Sequence, residues 1–304
     1  MARAPRRIED VAPPSPEELL VVVGPTASGK TALALELAER FGGEIIGADS
    51  VQIYRRFDLG SAKPTLEERA RVAHHVIDLK DPMAPMDAGQ YVELADHAIA
   101  DVRARGKVPI VCGGTFLWVK ALVSGLASAA PRDEAIRKRH LEIAEKEGRA
   151  EIHARLRAVD PSAAERLAPN DLVRTSRALE VFELTGRPLS EWQSAHGFRD
   201  ERHRPRFVGV HRERDDLDRR IEARTTELLA KGFVEETRAL LADGYGDARA
   251  MGSVGYREVR AHVAGTIAAA DLHREIVRST RTFVRRQRTW LRDVDVGWVT
   301  RSAT

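Results

Sequence analysis

The stretch that most limits the fold is Leu19–Phe41, LLVVVGPTASGKTALALELAERF. An apolar run, Leu19 to Val23, enters a glycine-bounded loop, and a helical pattern follows it. The loop fits G-x-x-x-x-G-K-[ST], with Gly24, Pro25, Thr26, Ala27, Ser28, Gly29, Lys30 and Thr31 in order. Strand, loop and helix together make a phosphate cradle. Its backbone N–H groups point at phosphate oxygens, and the helix N-terminus adds partial positive charge. Lys30 is placed for a terminal phosphate and the Thr31 hydroxyl for Mg2+. Taken alone, the motif suggests ATP.

The rest of the chain must then supply a sheet for this unit. From Leu19 to about Val123, apolar runs alternate with helical patterns. Glu44–Gly47 reads as a second strand, Asp87 as the N-cap of a helix reaching Arg105, and KVPIVCGG as a buried parallel strand. The pattern predicts an α/β fold: a P-loop-containing parallel sheet flanked by helices. From Pro131 to about Arg202 the segments are helical and charge-rich, with Asn170 or Asp171 capping the clearest one. RPRFVGVH returns to a strand, after which helices are expected to the end. The expected division is a disordered tail over residues 1–17, a core of 18–130 and 204–304, and an all-helical insertion domain over 131–203.

Bulk properties narrow the setting. The chain has 304 residues, 43% of them hydrophobic, a net charge of +3 and a single cysteine, Cys112. One cysteine cannot form an internal disulfide, so a cytoplasmic location is expected. Leu19–Val23 is too short to span a bilayer, and the proline-containing N-terminus has no apolar h-region. The ten histidines show no metal-ligand spacing, so no zinc site is expected.

Three further features carry chemistry. Asp49, in GADSVQIY, ends the strand after the cradle helix, the edge at which ligands bind in such sheets. Its carboxylate can take a proton from an acceptor, or it can be a turn-maker. Ser50 and Gln52 add polar groups beside it. VPIVCGGT ends in Gly113, Gly114 and Thr115, where a nucleotide hydrolase often places a Mg2+-holding acid. Finally, Arg274, Arg278, Arg281, Arg285, Arg288 and Arg292 recur every three or four residues, a helical stripe about 27 Å long. Arg suits phosphate, so a nucleic-acid backbone is the expected partner, against a merely basic solvated face. Arg220 and Arg224 lie four apart on a helix and could clamp phosphates; Arg174 and Arg177 form a similar pair. Trp290 reads as core.

These segments, with GSAKPT, HHVIDLKDP, RALEVFELTGRPLS, VGYREV and RRQRTWLR, occur in one order that resembles the tRNA dimethylallyltransferase family, the bacterial tRNA isopentenyltransferases. The similarity runs from about Leu19 to Val299. The resemblance implies transfer of a dimethylallyl group from dimethylallyl diphosphate to the exocyclic amine of adenosine 37 of tRNA, with Mg2+ as cofactor and diphosphate as co-product. It turns the cradle toward the prenyl donor: Gly24, Pro25, Thr26, Ala27, Ser28, Gly29, Lys30 and Thr31, with Arg220 or Arg224, would hold its diphosphate. It implies Asp49, Thr115 and Lys30 as catalytic. It assigns contact with the tRNA anticodon stem-loop to Asp49, Ser50, Val51, Gln52, Thr115 and Arg137. The same role goes to Val173, Arg174, Thr175, Ser176 and Arg177, and to Gly252, Ser253, Val254, Gly255, Tyr256 and Arg257. It also goes to Arg285, Arg286, Gln287, Arg288, Thr289, Trp290, Leu291 and Arg292. A monomer without membrane contact is expected. The chain departs from the family's usual pattern at Ser61, Trp118 and Ser253-Val254.

Two other functions compete. A small-molecule kinase would use the cradle for ATP and Asp49 for an acceptor hydroxyl, leaving the arginine stripe idle. A non-catalytic RNA-binding P-loop protein would bind RNA in a salt-sensitive way and make no product.

Overall fold

A computed structural model describes residues 5–127, 132–197 and 200–300. Contacts divide the chain into two units, Met1–Val123 with Arg202–Thr304, and Ser124–Glu201. The expected boundary at residue 131 lies outside the described residues.

The first unit is built on seven strands: β1 (Arg6–Arg7), β2 (Glu18–Val23), β3 (Gly43–Ala48), β4 (His74–His75), β5 (Val108–Gly113), β6 (Arg204–Val210) and β7 (Val296–Thr300). They pair in the order β1-β7-β6-β2-β5-β3-β4, every pair parallel. Leu19–Val23 of the central β2 have no exposed surface, as a strand covered on both faces must. Leu20 and Val22 pack with Leu33 and Leu37 of α1 (Lys30–Phe41), and with Ile45 and Ile110. Helices α2 (Leu66–Arg71), α3 (Ala88–Ala104) and α4 (Phe116–Ser124) follow. Asp87 caps α3, its side chain accepting from the Gln90 amide.

The second unit shows only helices among its described residues: α5 (Glu134–Glu147), α6 (Arg149–Val159), α7 (Pro161–Arg166), α8 (Leu172–Thr185) and α9 (Leu189–His196). Ile152, Leu156, Ala178 and Leu179 form its apolar centre. Asp171 caps α8, and Gly186 ends it in the left-handed conformation. The chain returns to the first unit with β6, then α10 (Arg214–Ala230), α11 (Phe233–Ala242), α12 (Tyr256–Val263) and α13 (Ala269–Leu291).

Two expectations are corrected. The N-terminal segment is not wholly a tail: Arg6 and Arg7 pair with Val299 and Thr300, Ile8 is buried, and Arg40 donates to the Ile8 carbonyl at 2.6 Å. The described residues also end on a strand, not a helix, β7 pairing with β6 from Val296 to Val299. Both segments are ordered by a distant sheet edge, which local composition does not reveal.

The register sets the site. Val23 lies level with Gly113 on one side and Gly209 on the other, and Gly113 lies level with Ala48. A Cβ on Gly113 would fall 2.1 Å from the Ala48 carbonyl oxygen, so only glycine lets β3 and β5 meet here. The carboxyl ends of three strands, β2, β3 and β5, thus deliver Gly24, Asp49 and Gly114 to one edge.

Candidate active site

At that edge lies a cavity of about 380 Å³, lined by cradle, Asp49 segment, Gly114 turn and helices α10 and α13. Gly29 sits at φ 94° as the N-cap of α1, and Lys30 and Thr31 line the cavity. Their first-turn amides have no helical carbonyl to bond, which suits an anion. The loop is braced from outside. Arg220 Nε donates to the Ala27 carbonyl at 2.9 Å and Arg212 Nε to the Ser28 carbonyl at 3.2 Å. Arg220 therefore grips loop backbone, whereas Arg224 lines the cavity itself.

The side chains of Lys30 and Arg224 make no hydrogen bond or ion pair with any described residue. Burial lowers both pKa values, and Asp49 pulls against the fall in each case. Between them, Asp49 spends one oxygen on structure: Oδ1 accepts from the amides of Val51 at 2.9 Å and Gln52 at 3.3 Å. The turn-maker reading of Asp49 is therefore correct for that oxygen. Oδ2 bonds no described residue and remains to accept a proton.

Thr115 stands beside Asp49. Its Oγ1 accepts from the Ser50 amide at 3.0 Å, and its own amide donates to the Ala48 carbonyl at 3.1 Å. Cys112, on the cavity wall, is pushed up to about 11 by burial and by Asp49, with Lys30 opposing, so the thiol is neutral near pH 7.

The far wall is docked by a residue the sequence did not flag. Glu236 Oε2 accepts from the Leu59 amide at 2.7 Å, and Oε1 accepts from the Gly60 amide at 3.2 Å and the Tyr256 hydroxyl at 2.6 Å. This holds Gly60–Ala62 in the cavity wall, where the Ser61 and Ala62 carbonyls accept from Gln52 Nε2, each at 3.0 Å.

The stripe on α13 divides. Arg274 and Arg278 pair with Asp271 and Glu275, and Arg281 with Asp218 and Glu222 of α10. Acids of α13 itself and of the neighbouring α10 neutralise this half, and of these only Glu275 falls within Arg274–Arg292. The side chains of Arg286, Arg288 and Arg292 have no hydrogen-bond or ion-pair partner among the described residues, and Arg286 lines the cavity.

Several expected RNA contacts face inward instead. Tyr256 is fully buried, edge-on to Phe57 and Phe233. Gln287 and Leu291 are buried, and the half-buried Trp290 stacks on Phe116 at 4.2 Å. In the second unit Thr175 and Ser176 are buried, the latter bonded to His140 at 2.9 Å. The reason is helical geometry: any unbroken helical run includes residues turned to the core. Gly252, Ser253, Val254, Gly255 and Arg257 line the cavity, as do Ser50, Val51 and Gln52. Also in the second unit, Val173 is exposed, and Glu180 takes both Nε and Nη2 of Arg137 at 2.8 Å, and Arg177 at 2.6 Å.

The chain matches the family model for IPP transferase over residues 52–294. It is 64% identical to the tRNA dimethylallyltransferase of Sorangium cellulosum over 98% of this chain and 95% of that one. It is 51% identical to the Geobacter metallireducens enzyme of the same name, over 92% of each. Among solved structures, the tRNA isopentenylpyrophosphate transferase of Bacillus halodurans superposes with a TM-score of 0.68 at 34% identity, covering 93% and 90% of the two chains. A eukaryotic dimethylallyltransferase acting on tRNA shares the fold, with a TM-score of 0.76 at 24% identity over 93% and 74%.

Proposed function

This chain belongs to the IPP transferase family, and from that premise we infer that it is an enzyme transferring a dimethylallyl group to tRNA. The donor we propose is dimethylallyl diphosphate, and the acceptor the exocyclic amine of adenosine 37, beside the anticodon. One observation carries the reading: two cations without partners, Lys30 and Arg224, face a carboxylate with one uncommitted oxygen in a single cavity. That set matches a reaction in which a polyanionic diphosphate departs and a proton is taken up.

The amine lone pair forms the new C–N bond to the allylic carbon as the C–O bond to diphosphate breaks. Negative charge collects on the leaving diphosphate, where Lys30, Arg224 and the cradle amides meet it. The adenine amine is a poor nucleophile because its lone pair is shared with the ring. Asp49 Oδ2 orients it and accepts its proton. Thr115 fixes the Ser50 backbone, and with it the start of the Asp49 turn.

Mg2+ fits this donor set. No group of three or more His, Cys, Asp or Glu could hold a metal among the described residues. Mg2+ commonly takes one or two protein oxygens plus substrate phosphates and water. The Thr31 hydroxyl in the cavity wall would hold it, and it would neutralise charge on the leaving group.

The acceptor base must leave the stack of the anticodon loop to reach a cavity of this kind. Arg286, Arg288 and Arg292 supply cations for the RNA backbone. A kinase use of the cradle is disfavoured by the Gly113-Gly114 turn, which leaves the end of β5 without an acid. The test is transfer from labelled dimethylallyl diphosphate to unmodified tRNA or to AMP. The expected result is label in tRNA alone, lost when adenosine 37 is replaced. Label in neither, or phosphoryl transfer from ATP without tRNA, would overturn the reading.

A further inference from the structure

Gln287 lies in the RRQRTW run that the family resemblance assigns to tRNA contact. Its surroundings do not suit that role. The side chain is 4% exposed and spends both ends of its amide inside the protein. Oε1 accepts from the Thr26 amide in the cradle at 2.8 Å, and Nε2 donates to the Gly114 carbonyl at 3.1 Å. A Cβ on Gly114 would fall 2.7 Å from Nε2, so the turn has closed onto this group.

We propose that Gln287 is a positioning residue that sets the spacing between the diphosphate cradle and the Gly114–Thr115 turn, and does not read tRNA. The inference rests on the function proposed above. The chain of contacts runs from Thr26 through Gln287 to Gly114, then through Thr115 to Ser50 and the Asp49 turn. The donor cradle and the Asp49 turn are thereby tied by one side chain. Only a neutral carboxamide serves, because one end must accept and the other donate. A carboxylate would set a second acceptor against the Gly114 carbonyl. The tie also has a place in the larger site. Arg286 lines the donor cavity, whereas Arg288 lines another bounded by Pro25 and β6–β7. Gln287 thus carries the cradle's geometry on the helix that presents arginines to RNA. It also takes the Thr26 amide out of the set available to phosphate, leaving that work to the amides at the start of α1.

The test compares the wild type with Gln287→Met, which keeps the side chain's length but loses both bonds, and Gln287→Glu. Three quantities are read: KM for dimethylallyl diphosphate, KM for tRNA, and the affinity for inorganic diphosphate by calorimetry. Gln287→Met should raise the donor KM and weaken diphosphate binding about tenfold, leaving the tRNA KM within about twofold. Gln287→Glu should lose more near pH 7.5 and recover part of the donor affinity, relative to wild type at the same pH, near pH 5.5. There a buried carboxyl becomes the neutral donor–acceptor that the site requires. A rise confined to the tRNA KM would overturn the proposal in favour of RNA reading. An equal rise in both KM values, or unchanged donor binding, would also overturn it. Should Gln287→Met not fold, Gly114→Ala in wild-type and Gln287→Ala backgrounds decides: a loss of diphosphate affinity in the first and little further loss in the second is expected. Equal losses in both would refute the tie. Calorimetry with inorganic diphosphate needs no product, so a wild type inactive on tRNA would sink the functional reading without hiding this result.

Discussion

Glu236 should matter to the cavity although the loop it holds only forms the wall. Its carboxylate accepts from the Asp58, Leu59 and Gly60 amides and from the Tyr256 hydroxyl. The Asp58 amide is near solvent and can turn to water, so it adds little. The other three are partly or wholly buried, and hydrogen bonds to a charged acceptor are worth about 1.5–3 kcal/mol each. These bonds share one group and are not additive, so Glu236→Ala is expected to cost about 4 kcal/mol. Glu236→Gln keeps one oxygen acceptor and presents an NH2 to the remaining donors, so about half that loss is expected. Tyr256→Phe removes one bond and leaves a packed ring, for about 1.5 kcal/mol. Urea unfolding gives the total, and hydrogen exchange at Leu59 and Gly60 shows whether the loss is local. In a double-mutant cycle the Glu236 and Tyr256 changes should couple by about 1 kcal/mol or more. Strictly additive effects, or Glu236→Ala within about 0.5 kcal/mol of wild type, would refute the reasoning.

Gly113→Ala should separate β3 from β5, because its Cβ would sit 2.1 Å from the Ala48 carbonyl oxygen. Transfer and stability should fall together, the latter by about 3 kcal/mol or more in denaturant. In the second unit burial raises the Glu180 pKa, but Arg137 and Arg177 outweigh it and hold the carboxyl at about 2. A depressed folded-state pKa gives stability that is complete above the ordinary 4.5 and lost as pH falls toward about 2. Fluorescence of Trp192, with the other tryptophans replaced, should report loosening of that unit in this window. Glu180→Gln should flatten that acid dependence. Arg224→Ala should weaken binding of inorganic diphosphate by about tenfold or more, since this cation has no other described partner.

Much of the fold was legible because its signals are local. The run Leu19–Val23, the cradle spacing and the Asp87 and Asp171 caps each act over a few residues, and each lies where expected. What escaped was set by distant parts of the chain. Arg6–Arg7 and Val296–Thr300 become strands because they find an edge to pair with. Arg281 of the arginine stripe is silenced by Asp218 and Glu222, some sixty residues upstream. Asp49, Lys30 and Thr115 were identified by motif, and the cavity gathers all three. Gln287 was placed among RNA contacts by its neighbours, yet its phase was readable. With Val277, Thr280, Val284 and Leu291 it lies on the buried face of α13, at steps of three and four. Glu236 left no such mark, because its partners come from loop amides and a tyrosine that share no pattern with it.

The central claim is that Asp49 takes the proton of the acceptor amine while the cradle holds the departing diphosphate. Its most direct test is the single-turnover rate of Asp49→Asn with saturating dimethylallyl diphosphate and tRNA. Asparagine keeps an oxygen for the Val51 and Gln52 amides, so the turn should survive. A fall of about 10²–10⁴ in rate, with affinities for tRNA and diphosphate within about threefold of wild type, is the predicted result. A rate within about threefold of wild type would contradict the account.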